Sequence, residues 1–297
     1  MPQESSGFRK YFESEDNNII SRILGAANLF ATRWEFGFIE RSNPEGYEIQ
    51  QISADLKIQH EEYYDLKSVQ DLILYSNLKD FIDMCGELRF QIRWSHVPRV
   101  PRTSVLGHSL FVAILAYLFS IEIGACKRRR ANNYYNGLFH DLPEVLTKDI
   151  ISPVKGNAPG LAKILKRYEK QEMGKVYKLL DRHEWRSEIE RFTSDEFGND
   201  IAVDGKIIQV SSEDINKRYN DDRYSPRDGE LVEACDKLAA FVEAYMSIEY
   251  GITNNELEKA KHNTVTKWGR YVAGIDFGRV YNSFTNEKLY RGGSRCR

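Results

Sequence analysis

Apolar residues recur at helical spacing along most of the chain. Two prolines between Val97 and Arg102 prevent a regular helix there, and a turn cluster at 42–46 ends the first helical segment. The pattern predicts an all-α protein. The predicted helices are 18–40, 69–93, one starting near His108 that contains the apolar stretch Leu110 to Ile123, 129–145, 160–191, 229–250, and one after Asn255.

Residues 193–230 interrupt this helical pattern because they are rich in Asp, Asn, Gly and Ser. Within them, strand-like residues flank Asp204-Gly205, a dipeptide typical of a tight β-hairpin. No Pro/Gly/Ser linker divides the chain. We therefore expect a helical bundle over 78–297 with a small β-hairpin insertion at about 193–230, preceded by a helical extension, 1–77, that packs on the core.

Composition narrows the setting in which the protein works. A net charge of −2 gives no general attraction to nucleic acid or anionic lipid, so an anionic substrate needs a local group of cations. The stretch Leu110 to Ile123 is too short to span a bilayer, and no apolar segment at the N-terminus resembles a signal peptide. We expect a cytoplasmic protein with no membrane partner. Its scattered cysteines suit a reducing compartment; they are Cys85, Cys126, Cys235 and Cys296.

The basic run Lys127–Arg130 is the strongest local cluster of cations. It follows an apolar helix, and cations at a helix C-terminus are favourable without any ligand. We therefore expect no nucleic-acid partner.

Three places in the sequence carry candidate metal chemistry. His140 and Asp141 are adjacent, so they converge only on an atom that lies off the helix between them. His108 opens an apolar helix, where a surface or core role is the ordinary interpretation. Asp236 lies among Val232, Ala239 and Ala240, and a buried carboxylate is costly unless it is ion-paired or bound to a cation. A salt bridge to Arg or Lys is the alternative for Asp236.

The order His108, His140-Asp141, Asp236 resembles the HD superfamily of metal-dependent phosphohydrolases. Residues 140–155 resemble the HDxxEVLTxDxxxPVK signature of the HD-type 5′-deoxynucleotidases, and Arg93-Trp94 stands fifteen residues before His108, as in that family. The chain also resembles larger bacterial HD-domain proteins. It departs from the family at Gly107, often Glu there, in a longer spacing from Asp141 to Asp236, and in residues 1–75, which have no counterpart.

The resemblance implies one divalent metal ion, held by His108, His140, Asp141 and Asp236. Such ligands suit Mn, Co, Fe, Ni, Zn or Mg and do not distinguish among them. The implied reaction is hydrolysis of the phosphomonoester of (deoxy)nucleoside 5′-monophosphates. A homodimer is implied by the resemblance alone.

The same resemblance assigns further residues to catalysis and to the nucleotide. Glu144, three residues past Asp141 and so on nearly the same helix face, is the predicted general acid or base. Arg93 is expected to bind phosphate and Trp94 to stack on the nucleoside, although Trp94 also suits core packing. Thr147, Asp149 and Lys155 complete the predicted contacts, with Asp149 against the sugar; a helix cap for Asp149 and a surface position for Lys155 are the alternatives.

Two other functions stay open at this point. One is a different HD phosphohydrolase or phosphodiesterase, acting on nucleoside triphosphates, cyclic nucleotides or oligonucleotide ends. The other is a regulatory module that binds the metal without turnover, against which Glu144 and Asp149 argue, because binding alone needs neither.

Overall fold

The structure, a computed structural model, describes residues 18–147 and 160–291, apart from the side chains of 161, 162, 165, 166 and 285–291. The chain divides into two compact units, one up to Asp80 and one from Phe81 onward. The helices of the first unit are α1 (Ile19–Ser42), α2 (Ile49–Glu61), α3 (Lys67–Leu74) and the start of α4 (Ser76–Glu87).

The first unit has a small core of its own. Ala26 of α1 packs with Leu66 and Val69, and Tyr63 borders them. The helix predicted over 69–93 is wrong in extent, because Tyr75 takes an extended backbone (φ −112°, ψ 99°) between α3 and α4. Ser76 and Asn77 follow, and such short polar residues compete with the helix for backbone hydrogen bonds.

The second unit confirms the all-α class. Its helices pack around a core formed by α5 and α10, with apolar residues such as Val112, Leu231 and Phe277 at its centre. The main helices are α5 (Val105–Glu122), α6 (Lys127–Phe139), α7 (Glu144–Thr147), α8 (Leu161–Leu179), α9 (Arg186–Ser194), α10 (Gly229–Glu249), α11 (Asn255–Trp268) and α12 (Phe277–Arg291). Three short helical turns lie between α9 and α10: Ser212–Asp214, Ile215–Tyr219 and Asp222–Tyr224.

Two predicted helices are shorter than the periodicity indicated. The helix predicted over 129–145 ends at Phe139 and restarts at Glu144, because the turn between them contains Pro143, which has no amide hydrogen to donate. The helix predicted over 160–191 divides into α8 and α9. No glycine or proline marks that break; the chain turns at Leu180, which is fully buried, so tertiary packing overrides the helical periodicity there.

The predicted hairpin is confirmed. β1 (Asn199–Val203) pairs antiparallel with β2 (Lys206–Gln209), and Val203 lies opposite Lys206. Asp204 and Gly205 have φ values of 50° and 73°, as a two-residue hairpin turn requires. A third strand, β3 (Arg227–Asp228), pairs with the other edge of β1. A smaller pair, β4 (Tyr271–Val272) and β5 (Ile275–Asp276), precedes α12.

Buried ion pairs attach this sheet to α6. Arg129 is fully buried and donates to Asp228 through Nε at 2.6 Å. Arg227 and Arg191 both bind the carboxylate of Asp200, which is also buried. Because β3 runs directly into α10, these pairs fix the first turn of α10 against α6. We refer to the five residues Arg129, Arg191, Asp200, Arg227 and Asp228 as the sheet clamp.

The structure corrects the interpretation of the basic run as the C-terminal end of an apolar helix. Lys127–Arg130 lies in the first turn of α6, not at the end of α5, so the helix dipole disfavours these cations. Asp222 offsets this by accepting the amide of Arg128 at 2.7 Å, and Arg128 also pairs with Glu188. Arg128 and Arg129 are thus held by tertiary ion pairs rather than by the dipole.

Helix α5 is longer than its apolar stretch indicated. Within the described part of the chain, α5 is the one helix that is long and apolar enough to cross a membrane, with a mean hydropathy of 1.8 over 18 residues. It packs against α6 and α10 and buries polar residues such as Ser109 and Ser120. Core helices pass the same test, so length and composition alone do not make α5 a membrane span.

Candidate metal centre

His108 lies in the first turns of α5 with none of its surface exposed. Ser104 caps the helix: its Oγ accepts the amide of Gly107 at 3.1 Å, and its carbonyl accepts that of His108 at 2.9 Å. Gly107, the position at which the chain departs from the family, is exposed, whereas His108 beside it is buried.

His140 comes close to His108 because α6 crosses α5 at Gly137. A Cβ atom at Gly137 would lie 2.9 Å from the backbone of Ala113, a distance that side chains do not tolerate. This close contact brings the two imidazole centroids to 5.8 Å. His140 donates from Nδ1 to the carbonyl of Gly137 at 2.8 Å, so its Nε2 faces the opposite way, 3.2 Å from Oδ1 of Asp141.

Asp236 reaches the same point from α10. Its Oδ1 is 2.9 Å from Nε2 of His108, and its Oδ2 is 2.7 Å from the ammonium of Lys237. The salt bridge considered as the alternative is therefore present on one oxygen, while the other oxygen faces the histidines. One ligand atom from each of His108, His140 and Asp236 lies within 4.8 Å of the others.

Asp141 borders this group of three. Its Oδ2 is 3.9 Å from Nε2 of His108 and 3.7 Å from Nη1 of Arg93. The structure thus places His108, His140, Asp141 and Asp236 together, with the guanidinium of Arg93 at the edge.

The cluster is electrostatically suited to a cation. Burial disfavours the carboxylates of Asp141 and Asp236, but the neighbouring cationic groups outweigh it and hold both pKa values below the ordinary range. Both residues therefore stay ionised. Burial likewise opposes protonation of His140, yet the charge of Asp141 prevails and raises the pKa of His140 to about 9.

Two buried atoms test whether a metal ion fits. Nε2 of His140 and Oδ2 of Asp141 have no hydrogen-bond partner within the described residues, which is costly for polar atoms out of water. Metal bonds of about 2.1 Å place neighbouring ligand atoms roughly 3 to 4 Å apart. Nε2 of His108 lies 2.9 Å from Oδ1 of Asp236 and 3.9 Å from Oδ2 of Asp141. Mixed imidazole and carboxylate ligands suit borderline divalent ions. The residues fit a divalent metal ion held by His108, His140, Asp141 and Asp236.

Of the predicted site residues at 144–155, the structure describes Glu144 and Thr147. Glu144 is half-buried, but it begins a new helix rather than sharing a helix face with Asp141, whose carbonyl accepts its amide at 3.0 Å. Thr147 donates through Oγ1 to Glu169 of α8 at 3.0 Å. Asp149 and Lys155 lie outside the described residues.

The HD domain family matches residues 85–265, a span that contains all four predicted ligands. The chain belongs to the HD domain family. Among its relatives is a 5′-deoxynucleotidase from Yersinia pestis (strain Pestoides F), 25% identical over 191 residues that cover 62% of this chain and 80% of the relative. A 5′-deoxynucleotidase from Yersinia pseudotuberculosis serotype O:3 (strain YPIII) matches with the same identity and coverage.

Two solved structures are similar to this HD domain. One is an HD-domain phosphohydrolase from Listeria innocua, with a TM-score of 0.47 and 18% identity, covering 72% of this chain and 88% of that one. The other is a conserved hypothetical protein from Pyrococcus furiosus, with a TM-score of 0.45 and 17% identity, covering 70% of this chain and 99% of that one.

Sequence reasoning missed Lys237, which pairs with Asp236, and it missed Glu243 of the HD-domain site. It lies on α10 seven residues after Asp236, hence two turns along the same helix face. Its carboxylate is buried, and its oxygens contact His108, Arg93 and Trp94. The available signal was a second carboxylate at this spacing in an apolar helix.

Proposed function

We propose that this HD domain is a metal-dependent phosphomonoesterase that acts on deoxynucleoside 5′-monophosphates. The observation that carries the proposal is the meeting of His108, His140 and Asp236 within 4.8 Å, beside the guanidinium of Arg93. The family supports a phosphohydrolase. The nucleotide substrate is supported by the signature at 140–155 and by the names of relatives that are 25% identical.

The protein's own residues divide the work around the phosphate. A bound divalent ion supplies charge neutralisation at the phosphoryl group and lowers the pKa of water. Arg93 is half-buried and presents a planar donor fork suited to phosphate oxygens. Lys237 adds a second positive charge next to Asp236. Together they form the local group of cations that a chain of net charge −2 needs in order to bind an anion.

Glu144 is the proposed proton-transfer residue. It follows the HD dipeptide by one turn of chain, and a carboxylate there is suited to accept a proton from the attacking water or to return one to the leaving sugar oxygen. Trp94 is the proposed wall of the nucleoside pocket, and Asp149 the residue beside C2′. Thr147 and Lys155 are the remaining proposed contacts, although the bond from Thr147 to Glu169 also fixes α7 on α8.

A phosphate-release screen tests the proposal. Purified protein is assayed with deoxy- and ribonucleoside monophosphates, triphosphates, cyclic nucleotides and a short oligonucleotide, each with Mn, Co, Mg, Ni and Zn. We expect release from the monophosphates. Asp236→Ala protein purified in parallel excludes a contaminating phosphatase. The nucleotide products are also separated by chromatography, because hydrolysis of a cyclic nucleotide gives a monophosphate and no free phosphate. Products confined to triphosphates, cyclic nucleotides or oligonucleotides would favour the other HD activities, and no product from any substrate would favour a binding module.

The preference for deoxyribose over ribose distinguishes a deoxynucleotidase from a broader phosphohydrolase. Rejection of an added hydroxyl by fit alone gives about a hundredfold discrimination, so kcat/KM for dAMP should exceed that for AMP by roughly that factor. Asp149→Ala should lower the ratio of kcat/KM for dAMP to kcat/KM for AMP. Equal kcat/KM values for dAMP and AMP in the wild type would reject the deoxynucleotidase and leave the broader phosphohydrolase.

A further inference from the structure

Glu243 divides its two carboxylate oxygens between different parts of the site. Oε1 lies 3.1 Å from Nδ1 of His108. Oε2 accepts from Nε1 of Trp94 at 2.8 Å and from Nε of Arg93 at 3.3 Å. The carboxylate is 5% exposed, so it meets these groups out of water, where hydrogen bonds to a charge are strong.

The bond to His108 selects the form of its ring. When Nδ1 carries the proton that Glu243 accepts, a neutral imidazole has its lone pair on Nε2, the nitrogen that faces Asp236. Carboxylates that hold a metal-binding histidine in this way change metal affinity by about 10- to 100-fold when they are removed.

The bonds to Trp94 and Arg93 hold a conformation that the backbone alone disfavours. Trp94 has φ 58°, a left-handed value that bulky residues rarely adopt. Arg99, in the same loop, donates to the carbonyl of Glu243 at 3.2 Å, so this one residue of α10 anchors the loop through both its side chain and its backbone.

We propose that Glu243 is a positioning residue that couples metal binding at His108 to the placement of Arg93 and Trp94. Its effect on the phosphate group rests on the role proposed above for Arg93. Its effect on the metal needs only the ligand set, so the two parts are separable by experiment.

The test compares Glu243→Gln with Glu230→Gln, an exposed glutamate at the start of the same helix. Two dissociation constants are measured by calorimetry: that of Mn²⁺, and that of inorganic phosphate at saturating Mn²⁺. The absorption spectrum of bound Co²⁺ reports the ligand geometry. None of these measurements depends on turnover, so they remain informative if the proposed substrate is wrong.

In Glu243→Gln, we expect the Kd of Mn²⁺ to rise by about 10- to 100-fold, the Co²⁺ spectrum to change, and the Kd of phosphate to rise as well. Glu230→Gln should match the wild type. An unchanged Mn²⁺ Kd in folded Glu243→Gln protein would overturn the assignment. A raised Kd of Mn²⁺ with an unchanged Kd of phosphate would refute the coupling to Arg93 and Trp94.

A second variant serves if Glu243→Gln does not fold. Trp94→Phe removes the indole donor to Oε2, with part of the ring that packs against Val97, Ala244 and Leu257, and leaves the bond between Oε1 and His108. It should weaken phosphate binding severalfold while the Mn²⁺ Kd stays within about twofold. Unchanged phosphate binding in Trp94→Phe would reject the proposed coupling between Glu243 and the loop that carries Arg93 and Trp94.

Discussion

His140 donates from Nδ1 to the carbonyl oxygen of Gly137, 2.8 Å away, in the turn of α6 that touches the backbone of α5. The residue that permits the helix contact is thus also the one that orients the imidazole. The separation of the two helices and the orientation of the His140 imidazole are controlled at the same point.

Gly137→Ala should therefore disturb both the contact between α5 and α6 and the orientation of His140. The added Cβ lies 2.9 Å from the backbone of Ala113, so α6 must move, which we expect to lower the free energy of unfolding by about 1 to 3 kcal/mol and to reduce metal content. Urea unfolding and elemental analysis measure the two effects. Gly174→Ala in α8 is the control: its Cβ meets nothing within 4 Å, so it should stabilise by about 0.5 to 1 kcal/mol. Equal behaviour of the two variants would contradict the close contact.

Alanine at His108, His140, Asp141 or Asp236 should remove metal and activity together, because His108, His140 and Asp236 each supply an atom to the cluster and Asp141 borders it. Elemental analysis of the purified variants is the measurement. His96→Ala is a matched control, since His96 pairs with Glu256 at 2.9 Å rather than with the cluster. Full metal occupancy in Asp236→Ala would exclude Asp236 as a ligand.

Glu144→Gln should keep its metal and lose activity. The amide preserves the shape of the side chain but cannot exchange a proton, so kcat should fall roughly 10²- to 10⁴-fold. Steady-state kinetics at saturating metal is the measurement. A kcat near the wild-type value in a folded, metal-loaded variant would show that the bound water needs no carboxylate at this position.

Asp200→Asn should destabilise the protein through the sheet clamp. Asp200 neutralises two buried guanidinium groups, those of Arg191 and Arg227, and breaking a buried pair costs about 3 to 5 kcal/mol. Asp204→Asn in the same hairpin is the control. Asp204 is exposed with φ 50°, a conformation that asparagine accepts, so the change should stay within about 0.5 kcal/mol. A similar small loss for Asp200→Asn would show that the clamp contributes little.

The sequence was sufficient for features that have a local cause. Helical periodicity predicted most helices, and Asp204-Gly205 predicted the hairpin because its backbone needs are met by those two residue types. Motif order predicted that His108, His140, Asp141 and Asp236 would meet, and the structure brings them together. The assignment of these residues as metal ligands stays a prediction.

Features that depend on distant partners were not predictable in the same way. Arg129 belongs to a basic run that looks solvent-exposed, yet it is fully buried because Asp228, ninety-nine positions later, lies opposite it. Glu243 is an ordinary helix residue until the loop carrying Arg93 folds over it. The break at Leu180 likewise depends on what surrounds the residue, not on its neighbours in sequence.

The hairpin has a consequence for comparing sequences of different length. β3 pairs with β1 and passes directly into α10, so the rotational phase of that helix, and with it the direction of Asp236, is fixed at the base of the hairpin. The tip at Asp204-Gly205 is exposed and lies at the far end of the pairing. Insertions or deletions at the tip would lengthen or shorten the ribbon without turning α10. A search pattern that demands a fixed gap between the HD dipeptide and its last aspartate would therefore miss proteins with an intact site.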